Sequence, residues 1–305
     1  MPPSGMSPSV DPWNAAPSVA PGTARDFAVD VVPPLGSSPG AVYVPSPSPF
    51  YDEAWTWQFM PEGLLYKAYL ASGRESRLSS NFVHQRVGVG TWDPTIGVHV
   101  GLLRYGNDIP LSPEGWQVDV EAAAFPRIRF DHLHTMLSTD FRLGVPLTWR
   151  RGPWETKFGY YHECSHLGDE YMQELQSLER INYMRDSLVW GVALRPASIA
   201  RLYAEADWAF IVDEGAKPWH FQFGLDLSPA EPNHGLPSPF FAINARLREE
   251  VNYSGNFTVQ TGLQWRNQAN RLLRLGLQYF NGLSDQCQFY RQFEEQIGLG
   301  IWYDF

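Results

Sequence analysis

Side chains on a β-strand point alternately to opposite faces, so a run in which every second residue is apolar and the rest are polar or small must separate two solvents. This chain contains many such runs. Its last segment sets Ile297, Leu299, Ile301, Tyr303 and Phe305 against Gln296, Gly298, Gly300, Trp302 and Asp304. The same alternation places Phe141, Leu143, Val145, Leu147 and Trp149 opposite Asp140, Arg142, Gly144, Pro146 and Thr148. It recurs in Trp116, Val118, Val120, Ala122 and Ala124, in Leu202 to Val212, and in Phe257 to Trp265. Transmembrane strands need about 9–11 residues and show this dyad pattern, whereas soluble strands usually run to about 5–6. Runs of this length therefore predict an all-β fold, a closed antiparallel transmembrane β-barrel.

The predicted strands are 76–87, 95–105, 115–124, 138–149, 154–166, 184–194, 200–212, 219–227, 241–249, 257–267, 271–280 and 294–305, about twelve in a single domain over 51–305. Met60 to Ala71 is expected to be a short amphipathic or extended lead-in, with Phe59 to Glu62 forming a plug or strand lead-in. Bacterial barrels have even strand numbers, short periplasmic turns and longer outer loops. The links 150–153, 195–199 and 268–270 are short and fall on the periplasmic side, while 167–183 and 281–293 are long and fall outside. The link 228–240, with four prolines, is long on the wrong side. Pro146 argues against a central strand, because proline cannot donate to a ladder. Trp149 and Trp154 flank a turn, as interfacial aromatics do.

Composition narrows the function classes. Charged residues make up 18% of the chain, below the ~25% usual in soluble domains, and aromatics 14%. A net charge of −10 with three lysines argues against a nucleic-acid partner. Residues 1–50 hold 12 of the 25 prolines and read as a disordered leader. A basic stretch followed by an apolar one, which would mark a secretory signal, is not found there, so the expectation is a truncated or misassigned start rather than a different fold. Two cysteines, Cys164 and Cys287, are too few for a disulfide scaffold. The lumen parity carries both signs of charge, among them Asp119, Glu121, Asp140, Arg142, Arg201, Glu205, Asp207, Arg266 and Arg274. Such charges either pair and close the lumen or line a narrow channel. Twelve strands lie between the filled eight-stranded barrel and the open sixteen-stranded one, and pairing is the simpler outcome.

One stretch has the residue types for chemistry. In YYHECSHLGDE, residues 160–170, the even positions continue the lipid-facing parity of Trp154, Thr156 and Phe158, so His162, Cys164 and His166 are expected to project outward near the outer leaflet. Ser165 is expected to point into the lumen unless a bulge shifts it. A histidine beside a thiol or hydroxyl, with a third group to orient it, is the pattern of nucleophilic catalysis. The candidates are His162 as base, Cys164 or Ser165 as nucleophile, and His166, Asp169 or Glu170 as orienting group. The same residues offer N, S and O donors for a divalent cation such as zinc or calcium, although no cofactor is required. They also suit the plain polar lip of a barrel. A Cys164–Cys287 disulfide is conceivable but joins strands that are not neighbours.

Three resemblances follow from these residues. The terminal strand closing on Phe305 resembles the assembly signal of bacterial outer-membrane barrels, which implies an outer-membrane address, contact with its lipid, and the barrel assembly machinery as a partner. Phe158 to Glu163 resembles the approach to the His-x-Ser motif of outer-membrane phospholipase A and the lipid A deacylases, with His162 matching the histidine, Cys164 at the serine position, and the asparagine usual just after the nucleophile absent. More widely, Phe59-Met60-Pro61-Glu62-Gly63, Leu65-Tyr66, Glu75-Ser76-Arg77, Trp92-Asp93 and the 162–170 stretch resemble an uncharacterised family of envelope proteins seen in planctomycete-type bacteria, which supplies no activity. The expectation is an envelope barrel with no assigned reaction, then a lipid acyl hydrolase, then a small-solute channel.

Overall fold

A computed structural model describes residues 54–130, 134–176, 180–233 and 235–305; the proline-rich leader lies outside the described residues. The alternating runs become β2 (Leu78–Gln85), β3 (Thr91–Gly106), β4 (Gly115–Arg129), β5 (Met136–Arg151), β6 (Trp154–Leu167), β7 (Met184–Ala197), β8 (Ala200–Val212), β9 (Trp219–Leu227), β10 (Ser238–Arg248), β11 (Ser254–Arg266), β12 (Leu272–Leu283) and β13 (Phe293–Asp304). A four-residue strand β1 (Thr56–Phe59) precedes them, and one helix, α1 (Asp169–Leu175), follows β6. Each of β3 to β13 pairs antiparallel with its sequence neighbours, and β2 pairs with both β3 and β13, closing a twelve-stranded barrel.

Both ends of the barrel domain lie at one rim, together with the turns after β5, β7 and β11; the longer links after β6 and β12 lie at the other, the loop rim. The link 228–237 stays at the terminal rim and is bonded into the end of β11. Asn233 accepts from the Arg266 N–H at 2.5 Å and donates to the Gln264 carbonyl at 2.8 Å, while Pro229 accepts from Arg266 Nε at 3.0 Å. Its length is thus used as a cap on the rim. Pro146 sits inside β5, opposite Gly159 of β6. A Cβ on Gly159 would lie 2.5 Å from Pro146 Cα, so the glycine makes the room that lets the ladder pass a proline.

The wall is apolar outside and polar within. Leu299 is 60% exposed and Trp190 60%, whereas Asp140, Gln264 and Arg274 are fully buried. An inverted protein of this kind covers its outer face with lipid rather than water. Aromatic pairs mark both edges of that face: Trp116 with Trp149 toward the terminal rim, and Trp208, Trp219, Phe221 and Tyr253 toward the loop rim. One irregularity alters the predicted parity. A bulge in β8 opposite Asp186 and Ser187 brings Phe210 and Ile211 both to the outside.

The lead-in is neither a helix nor part of the wall. β1 and β2 both pair with β3, Phe59 opposite Leu103 and Leu78 opposite Ile96, and residues 60–77 between them turn into the lumen as a plug. A buried, non-ladder backbone needs donors for its carbonyls. Arginines supply them: Arg104 to Glu62 and Gly63 at 3.0 and 2.9 Å, Arg201 to Lys67 at 3.0 Å, Arg274 to Leu70 at 3.1 Å, and Arg142 to Arg74 at 2.8 Å. Tyr69 of the plug stacks on Tyr203 with ring centroids 3.9 Å apart, and Lys157 covers its ring at 4.8 Å. Arg74 bridges Asp140, at 2.7 Å, and Glu163. Three interior cavities measure about 60, 40 and 30 Å³. At roughly 10–15 Å³ per water, each has room for a few. Among the described residues the mixed charges pair with one another and with the plug, as in Lys157 with Glu205 at 2.7 Å and Arg201 with Glu155 at 3.0 Å.

Candidate functional site

β5, β6 and β7 pair in register, so Leu143, His162 and Asp186 share one row across the outer wall, and Phe141, Cys164 and Met184 share the next. Outward parity on β7 reads Met184, Asp186, Leu188, Trp190 and Val192, leaving Asp186 as a lone acid on an apolar face. Its Oδ1 lies 2.8 Å from His162 Nδ1 and accepts a second hydrogen bond from the Tyr160 hydroxyl at 2.5 Å. An ionised carboxylate only accepts, so Nδ1 donates to it and Nε2 faces away from the acid. Tyr160 also contacts Phe210, with centroids 6.3 Å apart, and Phe210 contacts Trp208, which places the cluster at the aromatic level of the loop rim.

Cys164 lies two residues along the same face from His162, their Cα atoms about 6.6 Å apart by strand rise. It is a free thiol, and half-buried. No hydrogen bond joins it to His162 among the described residues; contacts of this type commonly tighten only around a substrate. His166 is exposed and packs edge-on against Phe141, 5.9 Å between centroids.

The remaining candidates are separated from this cluster. β5 and β6 pair without a register shift through Ser165, whose hydroxyl donates to Asp140 inside the lumen, on the opposite side of the wall from His162. Asp169 and Glu170 open α1 and are exposed. The expected donor set for a divalent cation is thus dispersed, and among the described residues no three His, Cys, Asp or Glu side chains form a metal-holding group. The conceivable disulfide is corrected as well. Cys164 faces outward, while Cys287 is buried at the loop-rim end of the lumen, its N–H donating to Asp140 at 3.0 Å.

The sequence matches, over residues 50–305, a family described as a protein of unknown function, DUF1207. The chain belongs to the DUF1207 family. No curated protein matches it. Among solved structures, this DUF1207 chain is similar to the outer membrane phospholipase of Salmonella typhi, a dimer with bound calcium, at 9% identity and a TM-score of 0.49, covering 74% of this chain and 90% of that one. The outer membrane phospholipase A of Escherichia coli matches at 9% identity and a TM-score of 0.49, over 74% and 92% of the two chains. A mutant of the Rh. blastica porin matches at 7% identity and a TM-score of 0.32, over 75% and 98%. By its own strands and faces, the DUF1207 chain is an outer-membrane-type β-barrel.

Sequence reasoning missed Asp186 and Tyr160. A signal for the first was present: a single acid at lipid parity among Met184, Leu188, Trp190 and Val192 stands out once β7 is read by faces. No signal for the pairing existed, because it depends on the register between β6 and β7.

Proposed function

We propose that this protein is an integral outer-membrane barrel that works on lipid at its wall, as a lipid acyl hydrolase. The observation that carries the reading is the His162–Asp186 hydrogen bond on the lipid-facing side, at the aromatic level where lipid esters meet water. Ionisable groups on such a face point to function by default. The plug in the lumen and the apolar exterior support action at the wall over transport through the centre. The alternation that ends at Phe305 supports an outer-membrane address and delivery by the assembly machinery.

In this reading Cys164 Sγ attacks the ester carbonyl, and His162 Nε2 takes the thiol proton and passes it to the departing alcohol. Asp186 holds the imidazole in the required tautomer and stabilises the imidazolium, with Tyr160 fixing the carboxylate. A water deprotonated by His162 then cleaves the thioester, freeing the fatty acid and restoring the thiol.

Purified barrel in detergent, supplied with phospholipid, is expected to release fatty acid. Cys164→Ala or His162→Ala should lower the rate by about 10²–10⁴, and Asp186→Asn by about tenfold or more. Absence of release from the wild type, or release that persists in the Cys164→Ala, His162→Ala double variant, sinks the proposal.

A further inference from the structure

The wall beside the candidate site is not flat. Val98, Ala122, Leu143 and His162 lie on one row, and Ile96, Ala124, Phe141 and Cys164 on the next. The two alanines are short, while their neighbours stand out from the wall, Ile96 at 64% exposure and Leu143 at 47%. The result is an open apolar hollow of about 450 Å³, floored by Ala122 and Ala124, walled by Ile96 and Val98 on one side and Phe141 and Leu143 on the other, with His162 at its edge.

The rows are not level, which fixes where the hollow lies relative to His162. One row begins at Arg104, near the terminal-rim end of β3, and passes through Gln117, Lys157, Glu205 and Arg246 to Glu294, near the loop-rim start of β13. Rows therefore climb toward the loop rim from β3 to β13, and descend from β6 to β4. Two strands at ~4.8 Å spacing on a wall tilted ~45° put each floor alanine about 7 Å nearer the terminal rim than the β6 residue on its row, Ala122 below His162 and Ala124 below Cys164. Polar groups stand at the loop-rim side, and the apolar hollow lies deeper in the membrane.

That polarity is the polarity of an amphiphile. We propose that the hollow seats one acyl chain of the lipid whose ester is presented to Cys164 and His162. The placement of the ester rests on the hydrolase reading; the seat itself is read by binding. A second copy of the chain is the less fitting occupant, because it would set Tyr160, His162 and Asp186 against an apolar wall like this one, whereas a lipid brings its own polar end to that level.

The test fills the hollow. Wild type, Ala122→Trp, Ala124→Trp and a control, Leu275→Trp on exposed β12, are incubated with dipalmitoyl phosphatidylcholine in detergent and examined intact by native mass spectrometry, with acyl release followed in parallel. The wild type and the control are expected to retain one phospholipid. The two alanine variants should bind about tenfold more weakly, as loss of roughly two buried methylene contacts implies. Heat-modifiable gel mobility reports folding, and Ala122→Leu, a milder filling, should move retention the same way if a tryptophan variant does not fold. Equal retention by all four proteins, no retention by the wild type, or a change confined to the monomer–dimer ratio overturns the seat. Retention that responds to the alanine variants while no protein releases fatty acid upholds the seat and removes the hydrolase reading.

Discussion

Replacing Arg74 by alanine is expected to destabilise the folded barrel by about 3–5 kcal/mol, because it strands Asp140 in a closed interior and leaves Glu163 only the more distant Arg246, at 3.9 Å. Arg74 comes from the plug and is nearly fully buried; it bonds Asp140, whose side chain has no exposure, and Glu163, which is about 10% exposed. Its ring-facing side lies over Phe125 at 4.4 Å, so truncation also removes packing. Asp140 would keep the Ser165 hydroxyl and the Cys287 N–H, which are dipoles and not counter-charges. The measurement is urea unfolding in detergent or lipid, read by gel mobility. Because the penalty is unpaired charge, the double variant Arg74→Met, Asp140→Asn should recover most of the loss, Glu163 being left to Arg246. If the single variant is as stable as wild type, the bridge is not what holds the plug to this wall.

Excising the plug is expected to convert a closed barrel into a conducting one. Replacing residues 64–76 with a short Gly/Ser linker removes Leu65, Tyr66, Tyr69 and Ala71, all buried, and with them the ring stack on Tyr203. Arg142, Arg201 and Arg274 then lose the carbonyls they cap and face water instead. A twelve-stranded wall is wider than the eight strands that side chains alone can fill, so the space vacated should admit ions. Planar-bilayer recordings should give discrete steps for the excised protein and none above background for the wild type. Steps in neither would mean that wall side chains such as Lys157 and Glu205, paired at 2.7 Å, close the lumen unaided.

Much of this architecture was legible in the chain. The inward place of Ser165 and the outward places of His162 and Cys164 followed from counting parity from Trp154, and they hold because β6 runs without a bulge. Strand number followed from the alternating runs, and the two rims from loop lengths. The lead-in was harder: Met60 to Ala71 carries buried tyrosines and leucines that suit a wall, a helix or a plug equally, and only the arginines on distant strands decide among them. The long link read as 228–240 looked misplaced because its partners, Gln264 and Arg266, are far along the sequence.

The sequence by itself determined which side of the wall each strand residue occupies, since alternation is a local property of the extended backbone and needs no partner. Which residues meet was decided by tertiary structure. Asp186 reaches His162 through the register of two strands joined by a long loop, Arg74 reaches Asp140 because the chain leaves the wall between β1 and β2, and the slope of the rows exists only once twelve strands close on themselves.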